Sequence, residues 1–257
     1  MKKLLILFVA FFYFQGYSQS LKIVYSEKRI LSQERLDAMP TDVREATLAK
    51  MKVPNLFTLE YSDGVSLYQR DKDASDFIFE KSGSSTNEDG SLVESKIVAN
   101  IKITPFFYYK ELKNDLLLFK LTNSQIEFDG KDKLLSWNWE ITNETKVISG
   151  YNCKKAISKA FDGYFVAWFT EDIPVNAGPE KFDGLPGLIL YISNTGQEFI
   201  AEKIDVLKSK IDIKKPVIPL KTVTVLEMYD ISSRKSYDFK NTKTIKQGNT
   251  TIKTESY

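Results

Sequence analysis

The chain has 257 residues, of which 42% are hydrophobic and 13% aromatic, so it is long and apolar enough to bury at least one sizeable core. Its formal net charge is only +2, which excludes the strong positive field expected of a nucleic-acid-binding protein. The sequence contains no histidine and only one cysteine, Cys153, which excludes Ser-His-Asp and Cys-His catalysis, His-ligated zinc and thiolate metal clusters.

The first 18 residues have the pattern of a secretory signal peptide. Lys2 and Lys3 precede an apolar run over residues 4–14, and small residues precede a cleavage site ahead of Gln19. The apolar run is too short to cross a membrane, which takes about 20 residues. We therefore expect residues 1–18 to be removed and the mature protein to be periplasmic or extracellular, without a membrane span.

The mature N-terminal part predicts a strand, a helix and a hairpin. Alternation of apolar and polar residues favours a strand over 21–25. A partial apolar stripe and a capping-box pattern favour a helix over 36–53. Asp63-Gly64 between two apolar runs is typical of a hairpin with a type I′ turn. Residues 71–91 are polar and rich in Ser and Gly, and we expect most of them to form a mobile loop.

From about Lys96 the chain is rich in short strand patterns without an alternation of helices and strands, which disfavours a doubly wound parallel sheet. A second helix is predicted over 223–237. We therefore expect an α+β, mostly β fold: a curved antiparallel sheet (open or half barrel) with one or two helices covering one face. The predicted division is one β-rich domain over 19–239 and a basic polar tail over 240–257.

Two of these strands are apolar on both faces. The patterns over 164–170 and 188–193 do not alternate apolar with polar residues, as a sheet with one wet face should. Either protein covers both faces, or the strands line an apolar cavity. For the second case the candidate ligand-binding residues are Tyr164, Trp168, Phe182, Leu190 and Tyr191, and the expected ligand is an apolar small molecule or a lipid.

A long segment, 171–187, connects these two strands and ends in a motif of two glycines and one proline. Three prolines stiffen the segment, and its apolar residues can pack against the sheet, as in compact functional loops. Pro186-Gly187 predicts a type II turn in which Gly187 has a positive φ. Backbone geometry and anchoring explain the whole motif without a catalytic role; its residues are Gly184, Leu185, Pro186, Gly187, Leu188 and Ile189.

This hexapeptide resembles the namesake motif of the GLPGLI family of exported Bacteroidetes proteins. Four further blocks between Gly150 and Pro179 are similar to that family's recurring segments: residues 150–156, 167–170, 172–174 and 178–179. The resemblance implies export but no established activity. The Gly-Tyr-x-Cys block followed by a strand containing tryptophan also weakly resembles relatives of lipoprotein carriers, which implies a curved sheet whose concave face is closed by helices.

Three functions remain open from the sequence. The first is a non-enzymatic binding or envelope-assembly protein, and the second is a structural partner of an outer-membrane complex. The third is a carboxylate-based hydrolase that uses acids near the loop: Glu171, Asp172, Glu180 or Asp183. We favour surface solvation or turn capping for these acids, a buried inert thiol at Cys153, and no cofactor or metal, since the ligand spacing of a calcium loop is missing.

Overall fold

A computed structural model of the chain describes residues 20–71, 75–86, 92–101, 103–123, 126–247 and 250–255. The signal-peptide prediction therefore lies outside the described residues. The helices are α1 (Gln33–Asp37), α2 (Thr41–Met51) and α3 (Val225–Asn241). The strands are β1 (Ser20–Arg29), β2 (Asn55–Ser62), β3 (Val65–Arg70), β4 (Phe77–Thr86), β5 (Leu92–Ile101), β6 (Phe107–Glu111), β7 (Leu116–Asn123), β8 (Ile126–Asp132), β9 (Glu140–Ile148), β10 (Tyr151–Ser158), β11 (Phe165–Thr170), β12 (Leu188–Ser193), β13 (Gln197–Leu207), β14 (Thr242–Gln247) and β15 (Thr250–Glu255). Within these ranges, no helix is both long and apolar enough to span a bilayer.

Most strands form one open antiparallel sheet of 11 strands, in the order β8-β7-β6-β3-β2-β1-β13-β12-β11-β10-β9. β8 and β9 are its two outermost strands. β4 and β5 form a separate pair, as do β14 and β15. The predicted α+β, mostly β fold with a curved open sheet is therefore confirmed, and α3 covers part of one face by burying Val225 and Met228 in the core.

One face of the sheet, which we call the inner face, carries the main core. On β1 it presents Leu21, Ile23 and Tyr25, all with no exposed surface. Because side chains alternate along a strand, Glu27 lies on the same face. The pairing register continues the row into β2 and β3, where Tyr25 lies opposite Phe57 and Phe57 opposite Arg70. Charged residues therefore occupy the end of an otherwise apolar surface.

Several local predictions can be compared with this structure. The hairpin of β2 and β3 is confirmed, and both Asp63 (φ 51°) and Gly64 (φ 79°) have the positive φ that a type I′ turn requires. The second predicted helix is confirmed as α3. The mobile loop predicted over 71–91 is wrong over much of its length, because Phe77–Thr86 forms β4 and pairs with β5. The predicted helix over 36–53 is shorter and begins at Thr41, after Pro40.

Candidate functional site

The segment from 171 to 187 lies across the inner face and is held there by three side-chain donors. Trp137 Nε1 donates to the carbonyl of Lys181 at 3.2 Å, and Trp139 Nε1 donates to the carbonyl of Asp183 at 2.7 Å. Between them, Lys110 Nζ donates to the carbonyl of Phe182 at 2.6 Å. Three consecutive buried carbonyls thus receive a partner, which satisfies groups that would otherwise be costly to bury.

Aromatic rings fill the space beneath this segment. The Phe182 ring lies 4.5 Å from Trp137 and 5.7 Å from Phe165, measured between centroids. Phe182 also reaches Phe199 of β13 at 6.3 Å. The segment therefore packs against the inner face and covers it. We call residues 171–187 the plug.

The glycines of the plug serve different purposes from those predicted. The positive φ belongs to Gly184 (φ 87°), and the prediction of a positive φ at Gly187 is wrong. Gly187 is required for a steric reason, since a Cβ there would lie 2.1 Å from the carbonyl oxygen of Thr170. The Asn176 side chain fixes the turn further by accepting a hydrogen bond from the Gly184 amide at 2.5 Å.

The plug also brings charge into the core. Asp183 is only 4% exposed and its Oδ2 lies 3.4 Å from Nζ of Lys110, which is 1% exposed. Burial lowers the pKa of Lys110 and raises the pKa of Asp183, and the attraction between the two groups opposes both shifts. The prediction of surface solvation is therefore wrong for Asp183.

A second set of polar groups, which we call the polar cluster, lies where the plug meets one edge of the inner face. Its members are Glu27, Tyr68, Arg70, Glu180 and Lys181. In an antiparallel sheet the end of β1, the start of β2, the end of β3 and the start of β6 lie at the same edge, and the pairing register places them so. Lys181 Nζ lies 5.8 Å from the ring centroid of Tyr108, which pairs with Tyr68, and this contact places the plug beside the strand ends.

Glu180 and Lys181 are buried members of this cluster. Glu180 adopts a left-handed backbone conformation (φ 46°), which is strained for a residue with a side chain. Lys181 Nζ lies 2.9 Å from Glu180 Oε2 and faces the rings of Tyr108 and Tyr229 at 5.8 and 6.0 Å. Burial alone would lower the pKa of Lys181, but Glu180 and these tyrosines outweigh it and hold the pKa well above its usual value.

Two hydrogen-bonding groups of the cluster have no partner among the described residues. The Tyr68 hydroxyl is fully buried and unpaired, and so is Nε of Arg70. The guanidinium of Arg70 is held in place by the rings of Phe57 and Phe106, whose centroids lie 4.9 and 5.9 Å away. Buried donors without acceptors are rare in native proteins, because each costs about 1–3 kcal/mol. These two donors mark the cluster as a place where a ligand could supply acceptors.

Tyr25 and Tyr68 provide a test of that interpretation. Both are fully buried, but the Tyr25 hydroxyl donates to the carbonyl of Ile189 at 2.6 Å, whereas the Tyr68 hydroxyl is unpaired. We expect Tyr25→Phe to lower the free energy of unfolding by about 1–2 kcal/mol and Tyr68→Phe to leave it unchanged or raise it. Urea denaturation of the two variants measures the difference. Equal losses would mean that the Tyr68 hydroxyl has a partner and would remove the argument.

The pKa of Glu27 is raised from 4.5 to about 7, chiefly by burial and then by the negative charge of Glu180. Arg29 from β1, Arg70 from β3 and Lys181 from the plug oppose the shift. The charge of Glu27 also acts on Lys50 of α2, whose pKa it raises. A half-buried carboxyl that titrates near neutral pH is a common feature of functional sites.

This shift predicts a pH dependence of stability. Because the pKa of Glu27 is higher in the folded state, the native protein binds more protons between pH 4.5 and 7, and the free energy of unfolding falls as pH rises through that window. After allowance for solvent screening, Glu27→Gln should therefore raise it by on the order of 1–2 kcal/mol at about pH 8 and leave it unchanged at about pH 4. Denaturation curves across this range test the expectation. Glu127→Gln, at an exposed position on β8, should follow the wild-type profile, and a Glu27→Gln profile parallel to wild type would contradict it.

The ligand-binding residues expected from the sequence are not brought together. Phe182, within the plug, and Leu190 of β12 are both buried in the core. Trp168 and Tyr191 pair across β11 and β12 on the other face, where the Lys146 ammonium lies 5.6 and 5.5 Å from their rings. Tyr164 is exposed just before β11. Protein therefore buries one face of these strands, and a lysine partly covers the other.

The acids predicted for a hydrolase also separate. Glu171 is exposed in an ion pair with Lys154, and Asp172 is exposed. Asp183 is paired with Lys110, so only Glu180 joins the polar cluster. Within the described ranges, no group of three or more His, Cys, Asp or Glu side chains lies close enough to hold a metal ion. Cys153 is a buried free thiol, as expected, and burial raises its pKa to about 11, which leaves it unreactive.

An open groove of about 610 Å³ lies at the opposite edge of the sheet, beside Glu111, Asp115 and Lys131. One carboxylate of the groove already has partners, since Tyr109 donates to Glu111 at 2.8 Å and Lys215 lies 3.0 Å from the same carboxylate. Hydrogen bonds from Asn114, Tyr109 and Lys215 lower the pKa of Glu111 to about 2. Glu111 is therefore already paired, and the polar cluster, with its two unpaired donors, is the stronger candidate site.

Comparison with solved structures shows the fold alone. Two structures of a protein named PNGF-II, in different space groups, are similar to this chain. One has a TM-score of 0.50 and 17% sequence identity over 89% of this chain and 35% of the other. The second has a TM-score of 0.45 and 16% identity over 91% of this chain and 36% of the other. The chain thus spans little more than a third of the length of PNGF-II.

Comparison with known sequences gives a family match that covers the plug and the strands beside it. No curated protein matches the chain. Residues 162–191, which contain β11, the plug and the first part of β12, match the profile of a family described as a protein of unknown function (Porph_ging). This family is of the GLPGLI type. The resemblance that the hexapeptide indicates is therefore confirmed over these residues.

Proposed function

We propose that this is an exported, non-enzymatic binding protein that holds a small molecule at the polar cluster, where β1, β2, β3 and β6 meet the plug. The observation that carries the proposal is the pair of buried, unpaired donors on Tyr68 and Arg70. A bound acceptor would recover the free energy that each unpaired donor costs. Glu27 and Arg70 keep exposed surface at this edge, so a ligand would meet them first.

The plug supports this proposal by fixing the far wall of the cluster. It is tied to the sheet through the Trp137, Lys110 and Trp139 donors, and it presents Glu180 and Lys181 in a fixed position. A rigid wall reduces the ordering cost of binding. The strained backbone of Glu180 is also consistent with a position retained for ligand contact rather than for stability.

Extraction of the protein followed by mass spectrometry tests the proposal. The protein is purified from the envelope of the producing cells as wild type, as Tyr68→Phe/Arg70→Gln and as Trp168→Ala. We expect a small molecule with the wild type and with Trp168→Ala, and its loss from the double variant. Loss only from Trp168→Ala would move the site to the face of the sheet opposite the inner face, and an empty wild-type protein would overturn the proposal.

A carboxylate-based hydrolase is the second candidate, because one observation favours it. The pKa of Glu27 is raised to about 7, and the negative charge of Glu180 contributes to this shift. Two carboxyls with different pKa values can serve as acid and base in glycoside hydrolysis. Turnover of a panel of 4-nitrophenyl glycosides distinguishes the candidates. Hydrolysis that is lost by about 100-fold or more in both Glu27→Gln and Glu180→Gln would favour the enzyme, and wild-type turnover at the buffer rate would remove it.

A further inference from the structure

Three cations gather around the mouth of the polar cluster: Arg29 at the end of β1, Lys50 at the end of α2 and Arg70 at the end of β3. Lys50 reaches this edge by donating to Asn55 Oδ1 at 2.9 Å, and Asn55 lies opposite Glu27 in the sheet. Lys50 Nζ also lies 5.3 Å from the centroid of the Phe77 ring. Two strands and one helix therefore direct positive charge to one place.

These cations are not neutralised by ion pairs. No Asp or Glu in the described ranges forms a salt bridge with Arg29, Lys50 or Arg70. Burial lowers the pKa of Lys50 and of Arg70, and repulsion from Arg29 lowers both further, whereas the charge of Glu27 opposes both shifts. Like charges held together in a partly dry site destabilise it, and an anion placed among them would relieve that cost.

Arg70 is prepared for such an anion. Its guanidinium lies over Phe57 and near Phe106, and its Nε–H is buried without an acceptor. A guanidinium whose plane is already fixed loses little freedom when it binds a carboxylate, sulfate or phosphate through its fork of donors. The unpaired Tyr68 hydroxyl beside Phe57, whose ring centroid lies 5.2 Å from that of Tyr68, offers a second donor.

The surroundings of these donors are apolar. Phe106 is half-buried at this edge and packs on Phe57 and Tyr108 at 5.0 and 5.5 Å between centroids. Phe77, beneath Lys50, is also half-buried. A hydrophilic ion alone would leave these rings partly wet, whereas a molecule with an apolar body would cover them.

We infer that the ligand carries one anionic group, such as a carboxylate, sulfate or phosphate, on an apolar body. Arg70 and Tyr68 bind the anionic group, Arg29 and Lys50 attract it, and Phe106 and Phe77 contact the body. The inference rests on the proposed binding function and adds the chemical class of the ligand. Glu27 opposes the anion when ionised, so its neutral form favours binding.

Three amphiphiles with the same eight-carbon chain and different charge test this inference. Octanoate, octyl glucoside and octyltrimethylammonium are titrated into the full chain below their micellar concentrations. Calorimetry gives the affinity, and amide shifts of residues 27–29 and 68–70 locate the site. We expect octanoate to bind at least about tenfold more tightly than the other two, which corresponds to one charge-assisted hydrogen bond.

Variants separate the charge of Arg70 from general damage. Arg70→Gln should weaken octanoate by about tenfold or more and leave octyl glucoside within about twofold. Arg44→Gln removes an arginine of α2 that pairs with Asp37 away from the cluster, and it should change neither affinity. If Arg70→Gln folds poorly, Arg70→Lys takes its place. The lysine keeps the charge and should retain part of the octanoate affinity. Glu27→Gln should tighten octanoate binding at about pH 8.

The outcomes distinguish this inference from the proposed function. If all three amphiphiles bind equally and Tyr68→Phe weakens each of them, the site binds ligands but does not select an anion, and the inference is wrong. If octyltrimethylammonium binds most tightly, the sign of the charge is wrong. If none of the three shifts the amides of the cluster, both the binding function at this site and the inference are overturned.

Discussion

Replacing Lys110 by methionine is expected to lower the free energy of unfolding by about 3–5 kcal/mol. The ammonium of Lys110 donates to the carbonyl of Phe182 at 2.6 Å and lies 3.4 Å from Oδ2 of Asp183, with both side chains excluded from solvent. Methionine keeps the volume and flexibility of the lysine stem but leaves the buried Asp183 carboxyl without its counter-charge and the buried Phe182 carbonyl without its donor. Urea denaturation of the purified variant measures the loss.

Lys120→Met is the matched control for this prediction. Lys120 pairs with Asp129 at 3.1 Å on the same half of the sheet, but both side chains retain exposed surface. Its loss should cost less than about 1 kcal/mol. Adding Asp183→Asn to Lys110→Met should recover part of the stability, because the amide is cheaper to bury than an unpaired carboxylate. Equal effects of the two lysine variants would mean that Lys110 does not hold the plug.

The sequence predicts the plug as an object but not its fastening. Prolines, glycines and apolar residues between two strands indicate a stiff segment packed on a sheet, and the structure has one. The donors that hold it are distant in sequence: Trp137 and Trp139 are each 44 residues from the carbonyl they bind, and Lys110 is 72 residues from its own. Such pairings depend on the strand order, which a single sequence does not reveal.

The candidate site shows the same limit with one exception. Trp168 and Leu190 are in apolar strands, and their neighbours obscured which face each side chain occupies. The structure separates them, because Leu190 is fully buried in the core, whereas Trp168 pairs with Tyr191 and lies against Lys146. Glu27, by contrast, was detectable from the sequence. It follows Leu21, Ile23 and Tyr25 at a spacing of two, so a strand extended to residue 29 places a carboxylate on the buried face.

The burial of Glu180 and Lys181 could not be predicted from the sequence, for a physical reason. A charged pair within a loop usually lies in solvent, because burying an ion is expensive. Here the plug turns inward, and each ion of the pair compensates the other at 2.9 Å. A single sequence contains no signal that distinguishes an inward from an outward loop of this composition. The burial of the pair follows only from the tertiary position of the plug.

Gly187→Ala is expected to lower the free energy of unfolding by at least about 3 kcal/mol or to prevent folding. The added methyl group would lie 2.1 Å from the carbonyl oxygen of Thr170 and 2.7 Å from its carbonyl carbon, which are backbone atoms that cannot rotate away. Relief would require β11 and the end of the plug to separate, and that would disturb the pairing of Thr170 with Leu188. Thermal and urea denaturation, or the yield of folded protein, measures the effect.

Two other glycines separate this steric effect from backbone strain. At Gly150 the φ is 84° but no atom lies within 4 Å of an added Cβ, so Gly150→Ala should cost about 1 kcal/mol from conformation alone. At Gly196 the nearest atom lies 3.6 Å away, an ordinary contact, and Gly196→Ala should be within about 0.5 kcal/mol of wild type. If Gly187→Ala costs no more than Gly150→Ala, the end of the plug can move away from β11. The hexapeptide would then not require glycine at this position for close packing.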